Sequence, residues 1–514
     1  MREARQRLLK NVGSNVLTLA IGVGVGLWQT PFLLAHFQSA YGNEAGVAAL
    51  GQIGLLRAIV DYALLLTFAL TWTINRFMAI QINRNDRDAT NAYFSTALFS
   101  LAAASLVLFA AAGLISPYLP AWLRTPHQLR HQVSGLFLLM MLASCTNTLQ
   151  SPFLSVPLAK HRFDLINVFK IAGFAAQVLV LVSCFSSVGP RLTGLGWAYV
   201  LKEMLILVCA VTVARSLLPF LRAGPTFCRL KALKDMAAMS FWSMIDRIGY
   251  LLYFSIDLLV INFLLGAVAC GRYAPMTQLA FLLGLFAGAV VHVFWPIAYE
   301  QIARNRMDEL VGQIQRTSKF MGLILALPIG LLCGLASPLL TVWLRGDEWS
   351  RYATLLVILI APAALNFSVR HLFSLTHGMN RVRVPAMVTI AGGLLNIVLS
   401  IALAKYTPLG IYGVAVATGI SLTLRNALFM PLYCAGILQR PKNTFYMGLL
   451  PGLLTATIVA FCGFGLSHIA DLTSFVRLGL AGCGLAALHV IMSVLFLGRQ
   501  EVRFLGSLVG RKEV

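Results

Sequence analysis

Charged residues are scarce in this sequence, and acidic residues are the scarcest of them. Only 11% of the 514 residues are charged, with 18 Asp and Glu against 40 Lys and Arg, whereas 59% are hydrophobic and the mean hydropathy is +0.81. No ordinary soluble globular protein has so apolar a composition. The composition therefore predicts an all-α polytopic membrane protein, because helices satisfy their own backbone hydrogen bonds in lipid.

Several chemical signatures are absent as well. The nine Cys residues form no CxxC pair and no cluster with His at metal-ligand spacing, so we interpret them as packing residues and expect no metal site. The chain has no GxxxxGK(S/T) motif, which excludes ATP coupling through its own P-loop. We expect no cofactor, and energy would come from an ion gradient, a substrate gradient or a partner.

Long apolar runs occupy most of the chain. A helix needs about 20 mostly apolar residues to cross the hydrocarbon, and we count fourteen such segments. The first is too long for a signal peptide and lacks a cleavage site, so we expect it to be retained. The predicted segments, numbered 1 to 14, are 14–37, 50–78, 92–115, 132–156, 163–187, 194–215, 240–264, 273–297, 319–341, 353–377, 384–404, 411–434, 445–467 and 475–496.

The positively charged residues are distributed unequally between the two sides of the membrane. Most Lys and Arg, including Lys10, Arg84, Arg222, Lys234 and Arg511, lie in segments on one side of the predicted spans. The positive-inside rule then predicts that both termini are cytoplasmic. We explain the net charge of +22 by topology and attraction to anionic lipid, and expect no nucleic-acid partner.

The chain contains an internal repeat. Residues 113–124 read GLISPYLPAWLR and residues 334–345 read GLASPLLTVWLR, after predicted helices 3 and 9. Because an even number of helices separates the copies, both halves have the same orientation and form two parallel lobes of six helices around a central cavity. We predict an N-lobe over 1–222, a C-lobe over 223–438, and helices 13 and 14 with a cytoplasmic tail over 439–514.

Ionisable residues inside the predicted spans are the best functional indicators. A charge at mid-membrane costs roughly 2.5 to 3.5 kcal/mol, so such residues usually face the protein interior. Basic residues outnumber acidic ones here, which favours an anionic substrate bound by guanidinium groups. The residues are Arg57, Asp61, Lys170, Lys202, Glu203, Asp246, Arg247, Asp257, His292, Arg370, His371 and Arg425.

Structural explanations compete with functional ones at several of these positions. Arg57 and Asp61 have i, i+4 spacing and could simply pair with each other, whereas Lys202 and Glu203 are adjacent and are not expected to neutralise each other. Lys170 could extend its ammonium to the cytoplasmic interface. Asp257 is either an ion-pair partner across the lobes or a proton or ion site. The histidines, His292, His371 and His489, are more typical of packed, hydrogen-bonded residues than of proton relays.

The chain resembles the Wzx-like oligosaccharide flippases of the multidrug/oligosaccharidyl-lipid/polysaccharide (MOP) exporter superfamily over helices 1 to 12. The resemblance lies in the basic start RQRLLKNVGSNVL, in RFDLINVFKIAG (162–173), in SFWSMIDRIGYLLYFSIDLLVI (240–261), in GRYAPMTQLAFLL (271–283) and in HGMNRVRVPAMVTIAGGLLNIVLS (377–400). It implies a MATE-like fold of two lobes around a cavity plus two further helices. It also implies a bacterial inner-membrane location.

The resemblance implies that the protein moves undecaprenyl-diphosphate-linked oligosaccharide from the inner to the outer leaflet by alternating access, with no enzymatic step. A polysaccharide polymerase or ligase would be a partner, and a proton or sodium ion could be coupled. Within this picture we expect the cationic substrate site at Arg57, Lys202, Arg247, Arg370 and Arg425. Coupling or gating would fall to Asp61, Asp257 and His292.

Other functions fit the sequence less well. A cation-coupled multidrug antiporter of the same superfamily would be expected to carry first-span acids, but residues 16–37 contain no Asp, Glu, Lys or Arg. The same absence argues against a lipid II flippase, whose first span carries an Arg-Asp motif. A membrane glycosyltransferase or polymerase would need a larger polar outer loop than 116–131 or 342–352. A scaffold would have no need for ionisable residues in mid-span.

Overall fold

The described part of the protein is almost entirely helical. The computed structural model describes residues 2–304 and 306–497, without the side chains of 2–12, 72, 238–243, 246, 254, 292–293 and 296–297. Within this part there is no β-strand. Side-chain caps set some helix starts: the Asp86 carboxylate accepts a hydrogen bond from the Ala89 amide, and the Ser474 hydroxyl accepts one from the Arg477 amide.

Fourteen helices of the described chain are long and apolar enough to cross a membrane, which confirms the predicted fold class. We call them span 1 to span 14. In chain order they are Gly13–Tyr41, Asn43–Ala63, Arg87–Ile115, His127–Ala159, Phe163–Ser187, Leu192–Leu217, Arg247–Leu265, Ala267–Val291, Met307–Gly334, Asp347–Asn366, Arg383–Tyr406, Ile411–Ile437, Leu450–Ile469 and Phe475–Phe496.

Four of these spans are interrupted within the described chain. Span 2 ends at Ala63, and a second helix, Leu65–Asn83, follows directly, where the sequence predicted one continuous helix. In span 7 one helix ends at Phe254 and the next begins at Ile256. Span 10 consists of short helices, because Pro362 lacks the amide that would continue the first of them. Span 12 contains a π-helical segment, Leu424–Phe429.

The backbone repeats along with the sequence. Within the described residues, left-handed backbone positions recur in pairs that are 219 to 224 residues apart: Gly42 and Gly266, Arg124 and Arg345, His161 and Asn380, and Gly189 and Gly410. A left-handed conformation costs a non-glycine residue roughly 1 to 2 kcal/mol, so its recurrence at matched positions is not incidental. The duplicated chain therefore turns in the same way at the same places in both halves.

The chain divides into two compact units. The first contains Met1–Leu251 and Ile261–Ala274, and the second contains Leu252–Val260 and Pro275–Val514. In the first unit, residues 74–82 pack with spans 3, 4 and 6 in one hydrophobic cluster. In the second, span 9 packs with residues 369–375, which follow span 10, and with the end of span 12 near Met430.

A backbone contact joins span 2 to the start of span 8 inside the first unit. A Cβ atom on Gly51 would lie 2.6 Å from the amide nitrogen of Gly271, and a Cβ on Gly271 would overlap the carbonyl oxygen of Val47. Beside this contact, the buried Asn262 amide donates to the carbonyl oxygen of Leu123 over 2.9 Å. The two helices thus approach as closely as glycine permits.

We expect Gly271→Ala to lower the thermal unfolding temperature, because the added methyl group forces the two backbones apart at a cost of about 1 to 3 kcal/mol. Thermal unfolding of the purified protein in detergent measures the effect. Gly482→Ala in span 14 is the matched control, since its Cβ would meet nothing within 4 Å. Equal unfolding temperatures for the two variants would contradict the close contact.

Candidate functional site

A polar cavity lies within the first unit beside the interruption of span 2. Its volume is about 240 Å³, and it is lined by Asp61, Leu64, Leu65, Thr67, Phe68, Thr71, Asn147, Thr148, Ser151, Leu154 and Arg247. These residues come from span 2 and the helix that follows it, from span 4, and from the start of span 7. The cavity therefore combines an acid, a guanidinium and several neutral polar groups within a membrane-spanning unit.

Two arginines act on the carboxylate of this cavity. Arg57 and Arg247 both attract Asp61 electrostatically, and Arg57 is the stronger of the two. The i, i+4 partnership predicted for Arg57 and Asp61 is present, but a second cation from span 7 shares the acid. The guanidinium of Arg247 also lies 5.7 Å from the Phe68 ring centroid and 5.2 Å from that of Tyr250. Two positive charges thus surround one negative charge.

Most neutral polar groups of the cavity are hydroxyl groups, and each already donates its hydrogen to a backbone carbonyl oxygen. Thr67 donates to the carbonyl oxygen of Leu64 over 3.0 Å, and Thr71 donates to that of Phe68 over 3.0 Å. On span 4, Thr148 and Ser151 likewise donate to carbonyl oxygens of their own helix. Their oxygen lone pairs remain as acceptors, which suits a ligand rich in hydroxyl donors.

Sequence reasoning missed these hydroxyl groups. Thr and Ser are common in membrane helices, and each satisfies itself locally, so no single residue stands out. The available signal was spacing: Thr67 and Thr71 are one turn apart, and Asn147 and Ser151 are also one turn apart. Only the fold brings these two pairs to one cavity.

In the second unit, Asp257 is the centre of a buried hydrogen-bond network. The side chain lies in the first turn of the second helix of span 7 and is 2% exposed. One carboxylate oxygen accepts from the Asn396 amide over 3.2 Å, and the other accepts from the Thr418 hydroxyl over 2.7 Å. Thr418 also lines a small cavity of about 30 Å³ at the interruption of span 10. The network compensates a buried carboxylate next to a space that admits water.

The two predicted arginines of the second unit lie at helix irregularities. Arg370 lies in the turn between the helix Ala363–Asn366, which ends span 10, and the next helix, Leu372–Gly378, and it donates to the carbonyl oxygen of Gly284 over 3.0 Å. Arg425 lies in the π-helical segment, where it donates to the Thr389 hydroxyl over 2.8 Å and covers the Phe373 ring at 4.6 Å. Both side chains are half-buried.

One predicted site residue, Lys202, differs from the expectation, and another, His292, is not described. Lys202 forms an ion pair with the adjacent Glu203 at 3.2 Å, so the expectation that these neighbours would not neutralise each other is wrong. The long lysine side chain bends back far enough to overcome the angular offset between adjacent helix positions. The side chain of His292 lies outside the described residues.

The other histidines behave as the sequence predicted. His371 is buried, with its Nε2 atom 3.2 Å from the Ser318 hydroxyl and 3.1 Å from the Ile314 carbonyl oxygen. The Nε2 atom of His489 lies 2.8 Å from the carbonyl oxygen of Leu323. Both are packed, hydrogen-bonded residues.

Comparison with known proteins agrees with this architecture. A family model described as "Polysaccharide biosynthesis protein" matches residues 46–300. The membrane protein EpsK of Bacillus subtilis (strain 168), which is described as uncharacterised, is 29% identical over 451 residues, covering 88% of this chain and 87% of its own.

Solved structures show the same fold at low sequence identity. The lipid II flippase MurJ, in an inward closed conformation, is 14% identical, with a TM-score of 0.65 over 95% of this chain and 98% of its own. An inward-facing multidrug resistance MATE family transporter of the MOP superfamily is 11% identical, with a TM-score of 0.64 over 86% of this chain and 95% of its own. Family model, relative and fold together support the resemblance: the chain is a multi-pass membrane protein with the fold of the MATE and MurJ transporters.

Proposed function

We propose that the protein reorients undecaprenyl-diphosphate-linked oligosaccharide from the inner to the outer leaflet of the bacterial cytoplasmic membrane. The observation that carries this proposal is the cavity of the first unit, which joins the Asp61 and Arg247 charges to a set of hydroxyl acceptors. Sugars offer many hydroxyl donors, and a diphosphate needs cations. The polyprenyl tail can stay in lipid, and no covalent bond changes.

The charged residues have different roles in this proposal. Arg57 and Arg247 hold the diphosphate or acidic sugar groups near the first cavity, and Arg370 and Arg425 provide cationic contacts in the second unit. Asp61 keeps the neighbouring guanidinium groups in place and gates their access to substrate. The excess of basic residues in the cytoplasmic segments supports an orientation with both termini inside, and a polymerase or ligase would act on the delivered lipid-linked glycan.

Reorientation of a fluorescently labelled polyprenyl-diphosphate oligosaccharide in proteoliposomes tests the function. Lipid that reaches the outer leaflet is quenched by a membrane-impermeant reductant, and protein-free vesicles provide the baseline. Protein-dependent reorientation would support the flippase. Its absence, together with uptake of a cationic drug analogue, would instead assign the protein to the antiporter branch of the superfamily.

The charge of Arg247 should matter more than its size. We expect Arg247→Lys to slow reorientation a few-fold, since it keeps the charge but loses the stacking on two rings, worth about 0.5 to 1 kcal/mol each. Arg247→Ala should slow it roughly tenfold or more. Arg247→Glu should be slowest, because the new carboxylate would repel Asp61.

The same substitutions at Arg351, an exposed residue in the 3-10 helix that begins span 10, are the control series. Equal reorientation rates for all three Arg247 variants at normal expression would remove this residue from the substrate site.

We further propose that Asp257 couples transport to protons or sodium ions. Its carboxylate is buried among the Asn396 amide and the Thr418 hydroxyl, so binding or loss of a cation there would change the balance of a network that links spans 7, 11 and 12. Oxygen groups of this kind are typical ligands of hard cations. The small cavity beside Thr418 supports access to the network.

For Asp257→Asn we expect transport that no longer varies with pH or with sodium concentration, because the amide cannot ionise. Asp471→Asn is the control, since Asp471 lies outside the spans and pairs with Arg477. Reorientation rates measured across pH and sodium gradients give the comparison. An unchanged dependence in Asp257→Asn would leave this residue with a structural role only.

A further inference from the structure

A second cationic cluster lies inside the first unit, away from the cavity described above. Lys170 on span 5 interacts electrostatically with Lys202 and Glu203 on span 6. The sequence favoured an extension of Lys170 towards the cytoplasmic interface, but these partners lie well inside span 6, which runs from Leu192 to Leu217. The structure therefore directs this lysine to other charges within the unit.

The acid of the cluster, Glu203, forms its ion pair with Lys202. The Glu203 carboxylate pairs with the Lys202 ammonium at 3.2 Å, and its other oxygen accepts from the Gln150 amide over 2.9 Å. Gln150 is 2% exposed and also donates to the Glu203 carbonyl oxygen, so span 4 fixes this acid in place. Within the described chain, no carboxylate lies within ion-pair distance of Lys170, which leaves the cluster with one uncompensated positive charge.

Neighbouring residues leave room for the Lys202 side chain and pack around it. Gly173 leaves room for the Lys202 stem, whose Cγ would lie 3.2 Å from a Cβ at that position. The Lys202 ammonium lies 5.0 Å from the Phe174 ring centroid, and that ring packs against Gly22 of span 1. Spans 1, 4, 5 and 6 thus enclose the Lys202–Glu203 pair, while the Lys170 side chain is exposed.

A chain of neutral polar groups continues from the cluster along the same two helices. The Gln177 amide donates to the Gln29 side chain over 2.8 Å, and the Gln29 amide donates to the Tyr199 hydroxyl over 2.9 Å. Gln177 lies two turns from Lys170 on span 5, and Tyr199 lies about one turn from Lys202 on span 6. These hydroxyl and amide groups, one to two turns from the lysines, can contact a sugar that carries an acidic group.

We propose that Lys170 and Lys202 form a subsite for an anionic oxygen group of the substrate, with Glu203 as the internal counter-ion of Lys202. The subsite rests on the proposed function and refines it, because the anion is either the carboxylate of an acidic sugar or the diphosphate of the lipid carrier. A carboxylate or phosphate oxygen placed between the ammonium groups removes the uncompensated charge.

Binding to purified protein in nanodiscs, measured by calorimetry, tests the subsite without requiring transport. The probes are a glucuronate-containing oligosaccharide, its neutral glucose counterpart of equal length, and inorganic pyrophosphate. We expect Lys170→Met to weaken binding of one anionic probe about tenfold or more and to leave the neutral oligosaccharide unchanged. Loss with the glucuronate probe identifies the glycan as the source of the anion, and loss with pyrophosphate identifies the carrier.

Variants that are expected to change the affinity for the anionic probe in opposite directions distinguish a loss of anion recognition from a folding defect. Glu203→Gln should strengthen binding of the same anionic probe several-fold, because it releases Lys202 from its internal partner, and Lys170→Arg should retain most of the affinity. Lys405→Met, on span 11, is the matched control, since its ammonium lies over the Tyr406 ring outside the cluster.

Unchanged anion affinity in Lys170→Met would overturn the subsite, and so would a loss that extends equally to the neutral probe or a loss in Glu203→Gln. These outcomes do not depend on leaflet reorientation. A protein that binds anions through Lys170 but reorients no lipid-linked oligosaccharide would refute the flippase while retaining an anion site.

Discussion

In a hydrocarbon environment every backbone N–H and C=O group must find a partner within the protein, and this requirement limits where a spanning helix can be interrupted. This chain nevertheless interrupts spans 2, 7, 10 and 12. The ionisable residues concentrate at these same places: Asp61 lies three residues before the break at Leu64, Asp257 follows the break after Phe254, and Arg425 lies in the π-helical segment. Irregular backbone is tolerated where it lines a cavity, which is also where charge is tolerated.

Charge compensation explains which ionisable residues are available to a ligand. Glu203 is held by an ion pair and an amide, and the Asp257 carboxylate accepts hydrogen bonds on both oxygens. By contrast, Asp61 is shared between two guanidinium groups beside an open cavity. Of these three acids, Asp61 is therefore the one whose partner Arg247 also lines an open cavity.

The architecture was largely predictable from the sequence, because hydropathy and span length follow directly from the thickness of the bilayer. The duplication was predictable from the repeated GLxSPxLxxWLR pattern, and the left-handed residues Arg124 and Arg345 at its ends now give it a structural basis. The break at Leu64 was not predictable, because no Pro or Gly marks it. The hydroxyl lining of the first cavity and the Lys202 ion pair were missed for a related reason: both depend on side-chain conformations that spacing alone does not determine.

The matched turns of the two halves also bear on the history of the molecule. At the spacing that relates Gly42 to Gly266, Arg57 and Asp61 correspond to Phe281 and Leu285, and Asp257 corresponds to Leu33. The loops have thus kept an inherited geometry while the interior charges have not. The two halves therefore place different side chains on one repeated backbone. The symmetry of this protein is therefore a property of its backbone, and its interior charges do not share that symmetry.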